Sequence, residues 1–358
     1  MQAIYVQENE LRSYCQRAFE AYGFSNQEAE IITDVLVMAD LYGIETHGSQ
    51  RLEMYRQHIQ KGYIKVGRQP EIAFETPISA VVDGRQAMGQ LVGKFGMELA
   101  ITKAKQLGIG MVTVRNSNHY GIAGYYSNMA LPHGLIGVSM TNSFPIVVPT
   151  YGRSPMMGTN PIAVSIAAEP TPFYLDIATS VAAVGKVEVC NKKGVDLPTG
   201  WGINEQGVDE LNPKHLIDCV RSRMGGLYPL GGSQELFGSH KGYGLAVLVE
   251  FLTASLSQGT TANHVQESDV MGVGHYFMAI DPKLFGNPDE ITRHWSKYLQ
   301  ELRDSEKALG QTRIYTHGEK EYETEAILRE RGVPILPKTI EEMKQLAKQL
   351  NIEWNIAA

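Results

Sequence analysis

Cysteine is scarce in this chain. Cys15, Cys190 and Cys219 are an odd number without a C-x-x-C spacing, so neither a disulfide framework nor a cysteine-based zinc site is expected. That usage points to a reducing compartment. The first residues, MQAIYVQENELRSYCQRAFEAYG, are charged from Glu8 onward and carry no apolar signal core. No uninterrupted apolar run is long enough to span a bilayer, so the expected location is the cytoplasm, away from any membrane. Dense Lys/Arg runs are also missing and the formal net charge is -7, which argues against a nucleic-acid partner. There is no G-x-G-x-x-G after any strand-like run, which disfavours a Rossmann domain. There is no H-E-x-x-H or H-x-H, so no metal site is expected, and no G-x-S-x-G elbow, so a serine hydrolase has no support.

What remains is a folded globular composition, 43% hydrophobic and 20% charged, in 358 residues, enough for two domains or one large domain with an appendage. The first sixty or so residues have helical periodicity. Leu11, Cys15, Ala18, Phe19 and Tyr22 recur at that spacing, and Ser25 with Glu28 forms a capping box opening a second helix. A third helix is predicted from about Gly48 to Lys61. From Ala80 the pattern turns to short β-rich runs: AVVD, IGMVTV at 109–114, LIGVSM at 135–140, IAVSI at 162–166 and FYLDIA at 173–178. Helical runs intervene at Gly89–Leu107 and after Gly121 and Lys241, so the predicted class is mixed α/β. Past Ile280 the sequence is charged and helical. Thr339 with Glu342 is expected to cap a last helix carrying Met343, Leu346, Ala347 and Leu350, which would pack on the N-terminal helices.

Several segments could carry chemistry. In ETHGSQRLEMY, His47, Arg51 and Tyr55 are spaced by four, which on one helix sets an acid/base imidazole and a fixed cation on one face. An oxo acid needs such a pair: a proton donor with a pKa near neutrality at the developing alkoxide, and a guanidinium fork on the carboxylate. From spacing alone, a solvated helix face is the more common meaning of a His and an Arg four apart. NSNHYGIAGYYS follows a strand and opens a helix, a general phosphate-binding arrangement. His119 there is equally well a turn residue or a cofactor contact. MTNSFPIVVP, GTNP and DIATSVAAVGK are polar segments at strand ends, where ligands collect. Lys241 in FGSHKGYG either meets a pyrophosphate or is an ordinary surface lysine.

Taken together, THGSQR, GQ at 89–90, NSNHYGIAGYY, GTNP, LDIATS, GK, LPTGW, SHKGYG and VGHYFMAID, in this order, resemble the malate/L-lactate dehydrogenase family that is unrelated to the Rossmann-type enzymes. That family also holds ureidoglycolate dehydrogenase, sulfolactate dehydrogenase, diketogulonate reductase and piperideine-carboxylate reductase. The resemblance implies a helical domain from both chain ends, here residues 1–75 plus about 282–358. Between them it implies a central α/β domain at 76–281 with a non-Rossmann nicotinamide-binding topology, and a homodimer. It implies an oxidoreductase interconverting a small 2-hydroxy acid and its 2-oxo acid, malate/oxaloacetate or L-lactate/pyruvate first. The implied cofactor is NAD, with NADP left open. By this resemblance His47 is the proton donor/acceptor, Thr46 its relay neighbour, Arg51 the substrate carboxylate ligand, and Thr159 and Tyr55 further substrate contacts. The cofactor contacts implied are His119, Tyr120, Gly121, Ile122, Ala123 and Gly124; Ser139, Thr141 and Asn142; Asp176, Ile177 and Ala178; Lys241; and Gly318 with Glu319.

Two departures matter. Gly185-Lys186 stands where the ketimine-reducing branch has an acidic relay residue, so cyclic-imine reduction is not implied. His317-Gly318-Glu319 stands where the family often has P-G-E. Ureidoglycolate or another 2-hydroxy acid is the alternative substrate, and several arginines, Arg153 among them, could read a second carboxylate. A non-catalytic nucleotide-binding relative is the alternative from another class, and a metal-dependent hydrolase a more distant one.

Overall fold

The computed structural model describes residues 3–266 and 270–357. The chain opens with strand β1 (Ile4–Val6) and helices α1 (Glu8–Ala21) and α2 (Asn26–Leu41). Ser25 caps α2 as the sequence predicts: its hydroxyl accepts from the Glu28 amide while the Glu28 carboxylate accepts from the Ser25 amide. Two 3-10 turns, Glu45–His47 and Ser49–Arg51, follow before α3 (Leu52–Gln60). This differs from the single helix expected over 48–61. Gly48 is extended, with φ -87° and ψ -150°, and breaks the helical path between His47 and Arg51.

The main sheet has seven strands, β2 (Glu71–Glu75), β3 (Ser79–Asp83), β4 (Ile109–Ser117), β5 (Ile136–Thr141), β6 (Ile162–Ile166), β7 (Phe173–Ile177) and β10 (Val273–Ile280). Their order is β2-β3-β4-β10-β5-β6-β7. Only β3 and β4 are parallel; the other five of the six pairings are antiparallel. Parallel neighbours need a crossover, supplied here by α4 (Gly89–Leu107), whereas a doubly wound sheet would need one at nearly every step. Strand β10 inserts between β4 and β5, setting Phe277 opposite both Val112 and Ser139. Val112, Val114, Phe277 and Ala279 of the sheet pack with Val92, Met97 and Ala100 of α4. Gly96 lets α4 approach closely, since a Cβ there would lie 2.6 Å from the Phe277 ring.

Helix α5 (Ala123–Asn128) covers the other end of the sheet, and α6 (Val184–Lys193), β8 (Gly202–Ile203), α7 (Pro213–Ser222) and β9 (Gly226–Leu227) form a small subassembly with its own apolar core. Helix α8 (Ser239–Glu250) starts two residues before Lys241. The chain then runs through α9 (Pro288–Asp304), α10 (Glu319–Arg331), β11 (Val333–Ile335) and α11 (Pro337–Leu350). Strand β11 pairs antiparallel with β1, and Met343, Leu346 and Ala347 of α11 join Leu11, Tyr14 and Phe19 of α1 in one core. Tyr14, fully buried there, donates to the Met343 carbonyl at 2.8 Å. Thr339 does not cap α11: the N-cap is Leu336, because Pro337 begins the helix, and Thr339 lies inside it. Among the described residues no helix is long and apolar enough to cross a membrane.

Candidate active site

The turn at 45–51 is held from below by Asp40, buried in the last turn of α2. Its carboxylate accepts the Ser49 amide at 2.8 Å, and burial pushes its pKa up to about 7. Gly48 lies flat on that carboxylate; a Cβ there would come 1.8 Å from Oδ1. Gly48→Ala is therefore expected to displace the turn, costing about 1–3 kcal/mol of stability and lowering kcat/KM with it. Thermal melts and steady-state rates check this, and a variant with parental values in both would show the turn is not so constrained.

Thr46 joins two of the predicted residues. Its hydroxyl is 2.9 Å from His47 Nδ1, and its carbonyl accepts from Arg51 Nε at 2.5 Å. His47 and Arg51 thus meet through Thr46, without sharing a regular helix face. Arg51 Nη2 also donates to Glu188 of α6 at 3.0 Å. Gly185, one turn earlier on α6, lets that helix close on the turn, since a Cβ there would lie 2.5 Å from Thr46 Cβ.

The His119 ring stacks on His47, centroids 5.5 Å apart and planes 24° apart. Tyr55 Oη is 2.8 Å from His119 Nδ1 and receives the Gln90 amide at 2.7 Å, so the tyrosine proton is directed at His119. Gln90 belongs to the first turn of α4, and Gly89 packs against the His119 carbonyl, where a Cβ would come within 2.2 Å. Tyr55 and Gln90 are fully buried, whereas both imidazoles keep part of their surface open. Burial first, and the Arg51 charge second, lower the His47 pKa to about 4; burial lowers His119 well below the usual histidine value too. The near-neutral value expected from sequence is not what the free protein holds: burial, with the Arg51 charge behind it, keeps both rings neutral at pH 7.

Other predicted contacts lie elsewhere. The Tyr120 ring is sandwiched between Tyr126, centroids 4.6 Å apart, and His275, 4.4 Å apart, and its hydroxyl meets Ser139 at 3.0 Å. His275 bridges Thr141 and Ser117, both at 2.8 Å. Asn142 donates to the Thr260 carbonyl and to Glu250. Ser139, Thr141 and Asn142 are buried, so these side chains bond protein partners and are not the open donors the sequence suggested.

The loop before α5 is packed by protein on several sides. The Gly124 amide is taken at 2.8 Å by the Asp176 carboxylate, whose pKa burial raises to about 6. Tyr174 fills the space over Gly124, and Val35 of α2 the space over Gly121, where φ is +87°. Ile122 and Ala123 are buried. Asp176, Ile177 and Ala178 stay half-buried at the sheet edge, and Gly318, φ +100°, packs on Tyr174 beside them. Glu319 is corrected to a structural role: its carboxylate pairs with Arg303 at 2.6 Å and Arg313 at 3.4 Å. Lys241 is exposed in the first turn of α8, and the Thr159 carbonyl accepts from Thr179. Among the described residues no hydrogen bond or ion pair joins either to the His47 cluster. Asp40 and Glu188 are the partners that sequence reasoning missed, and Gln90 stands in the GQ pair at 89–90 with no role assigned to it from sequence. A polar residue on the inward face of the apolar run VLVMADL was the available signal for Asp40.

Comparison with known proteins identifies the family. Residues 6–344 match the family described as malate/L-lactate dehydrogenase. A malate dehydrogenase of Pyrococcus horikoshii is 42% identical over 358 residues, covering 98% of both chains. A malate/(S)-sulfolactate dehydrogenase of Methanothermus fervidus is 34% identical, covering 97% of this chain and 98% of its own. The crystal structure of malate dehydrogenase from Entamoeba histolytica superposes with a TM-score of 0.95 at 38% identity, covering 98% of this chain and 99% of the other. With its mixed seven-stranded sheet and a match over nearly its whole length, the chain belongs to the malate/L-lactate dehydrogenase family.

Proposed function

We propose that this 2-hydroxy acid dehydrogenase interconverts malate and oxaloacetate with NAD, His47 moving the proton and Arg51 holding the substrate carboxylate. The observation that carries the reading is the double engagement of Thr46, whose hydroxyl meets His47 and whose carbonyl meets Arg51, tying an acid/base group and a fixed cation to one residue. The choice of malate rests on the names of the relatives at 42% and 38% identity.

The residues present fit a nicotinamide. Gln90 Oε1 is buried without a partner beside Tyr55 and His119, an open acceptor of the kind a bound amide satisfies. His119, Gln90 and the half-buried Asp176–Ala178 edge are the residues proposed to hold the cofactor, which when bound supplies or takes up the hydride. Thr46 occupies Nδ1 of His47, so Nε2 is the nitrogen left to face a substrate hydroxyl. In hydroxy-acid oxidation the neutral imidazole accepts that hydroxyl proton; in oxo-acid reduction the imidazolium returns it. Arg51 already binds one carboxylate, that of Glu188, and a substrate carboxylate would take its place on the guanidinium. Stacked on His47, His119 holds the ring in plane and shields one face from water.

The proposed assembly is a homodimer: Leu236, Phe237, Leu248 and Phe251 leave an apolar strip on and beside α8 for a second copy to bury. The proposed compartment is the cytoplasm, in keeping with three free cysteines. Following nicotinamide absorbance with oxaloacetate, pyruvate, sulfopyruvate and ureidoglycolate, each with the NAD and NADP forms, tests the reading. Oxaloacetate with NADH is expected to give the highest kcat/KM. Turnover on none of them, with cofactor still bound, would leave a non-catalytic nucleotide-binding relative instead.

A further inference from the structure

The subassembly of α6, α7 and the β8–β9 pair contains a side-chain cluster that the dehydrogenase reading does not use. His215 and Cys219 stand one turn apart on the same face of α7. Both point at one oxygen of Glu205, from the turn after β8: His215 Nε2 is 3.3 Å from Glu205 Oε2 and Cys219 Sγ is 3.1 Å from it. The ligand atoms of all three lie within 4.8 Å of one another. Around a tetrahedral zinc, with bonds of about 2.0–2.3 Å, neighbouring ligand atoms sit roughly 3.3–3.6 Å apart, so the triangle needs to open only slightly.

The second set of contacts argues the same way. Glu210 Oε2 lies 2.5 Å from His215 Nδ1, and Glu210 is itself fixed by the Asn212 amide at 2.7 Å and by Asn204. A carboxylate on Nδ1 orients the ring and leaves Nε2 with its lone pair toward Glu205, the arrangement that supports metal-bound histidines. The turn carrying Glu205 is ordered by Asn204, whose side-chain oxygen accepts from the Gln206 and Val208 amides, and Asn212 caps the helix that carries the other two groups. Cys219 is buried while His215 is half exposed, so the cluster has a protein wall on one side and room for water on the other.

We propose that Glu205, His215 and Cys219 form a binding site for a divalent transition metal of the zinc class, with Glu210 orienting His215 and water as fourth ligand. Thiolate, imidazole and carboxylate together select such an ion over magnesium or calcium, which take oxygen ligands alone. On binding, the thiol proton passes to solvent and the sulfur lone pair forms the metal bond. The ion clasps the 204–212 turn to α7; it has no part in hydride or proton transfer, and the site stands or falls independently of the substrate reading.

The test is titration of metal-stripped, reduced full-length protein with Co2+. One ion per chain and a near-ultraviolet thiolate-to-cobalt charge-transfer band are expected, the band being abolished by Zn2+. Cys219→Ser is expected to lose the band with circular dichroism and dehydrogenase activity unchanged, while Cys190→Ser keeps it. Glu210→Gln should weaken metal affinity about 10- to 100-fold. Should Cys219→Ser fail to fold, His215→Asn decides, since its side chain is half exposed and it too should lose tight binding. No band in the parent, or a band surviving in Cys219→Ser or unaltered in His215→Asn, overturns the proposal.

Discussion

His47→Ala is expected to lower kcat for oxaloacetate reduction about 10²- to 10⁴-fold, the usual contribution of a positioned general acid, while KM changes little. The split follows from the site. Removing the imidazole leaves the Arg51–Thr46 and Tyr55–His119 contacts in place, so the residues proposed to hold acid and cofactor stay where they are. What is lost is a proton donor that only the transition state requires. Steady-state rates from nicotinamide absorbance measure it, and kinetic constants equal to those of the parent would remove His47 from the mechanism.

Arg51→Lys has the opposite split, with KM for oxaloacetate raised about 10- to 100-fold and kcat less affected. A lysine keeps the charge but has no fork, so it cannot hold the Thr46 carbonyl and a substrate carboxylate at fixed angles together. Losing one charge-assisted hydrogen bond of about 1.5–3 kcal/mol accounts for that range. Glu188 sharpens the prediction, because it competes for the same guanidinium nitrogen. Glu188→Gln in the parent should lower KM by relieving that competition; an unchanged KM in both variants would place the substrate carboxylate elsewhere.

The sequence revealed elements whose signal is local. The Ser25–Glu28 box fixed the start of α2, and α4 spans Gly89–Leu107 as predicted, ending on Gly108 at φ +83°. Strand β10 is not legible from local pattern for a physical reason: it is buried on both faces, so it lacks alternation, and its partners lie more than a hundred residues earlier. Helix α6 is short and carries glycine at its second position, whereas α7, behind the Asn212 cap and Pro213, sets Leu216, Cys219 and Val220 on one face, a local signal present in the sequence. At the site, His47, Arg51, Tyr55 and His119 were legible as residue types with a task. Their geometry was not, because the break at Gly48 depends on Asp40 beneath it. The side chains of Ser139, Thr141, Asn142 and Glu319, implied as cofactor contacts, hold internal hydrogen bonds and ion pairs, since a sequence shows which groups are polar but not which already have partners.

The proton assignment is tested most directly by the pH dependence of kcat/KM for oxaloacetate reduction, measured side by side in the parent and in His47→Asn. In the free protein His47 titrates at about 4, so above that value the imidazolium needed for reduction becomes scarcer as pH rises. Between about pH 6 and 8 the parent should therefore lose roughly tenfold in kcat/KM per pH unit. Asp40 and Asp176, at about 7 and about 6, titrate in both proteins, so the difference between the two profiles isolates the imidazole. The account predicts for His47→Asn a low profile without the parental tenfold fall per pH unit. A variant that keeps both the parental slope and the parental rate would contradict it and move the proton to another group, His119 first.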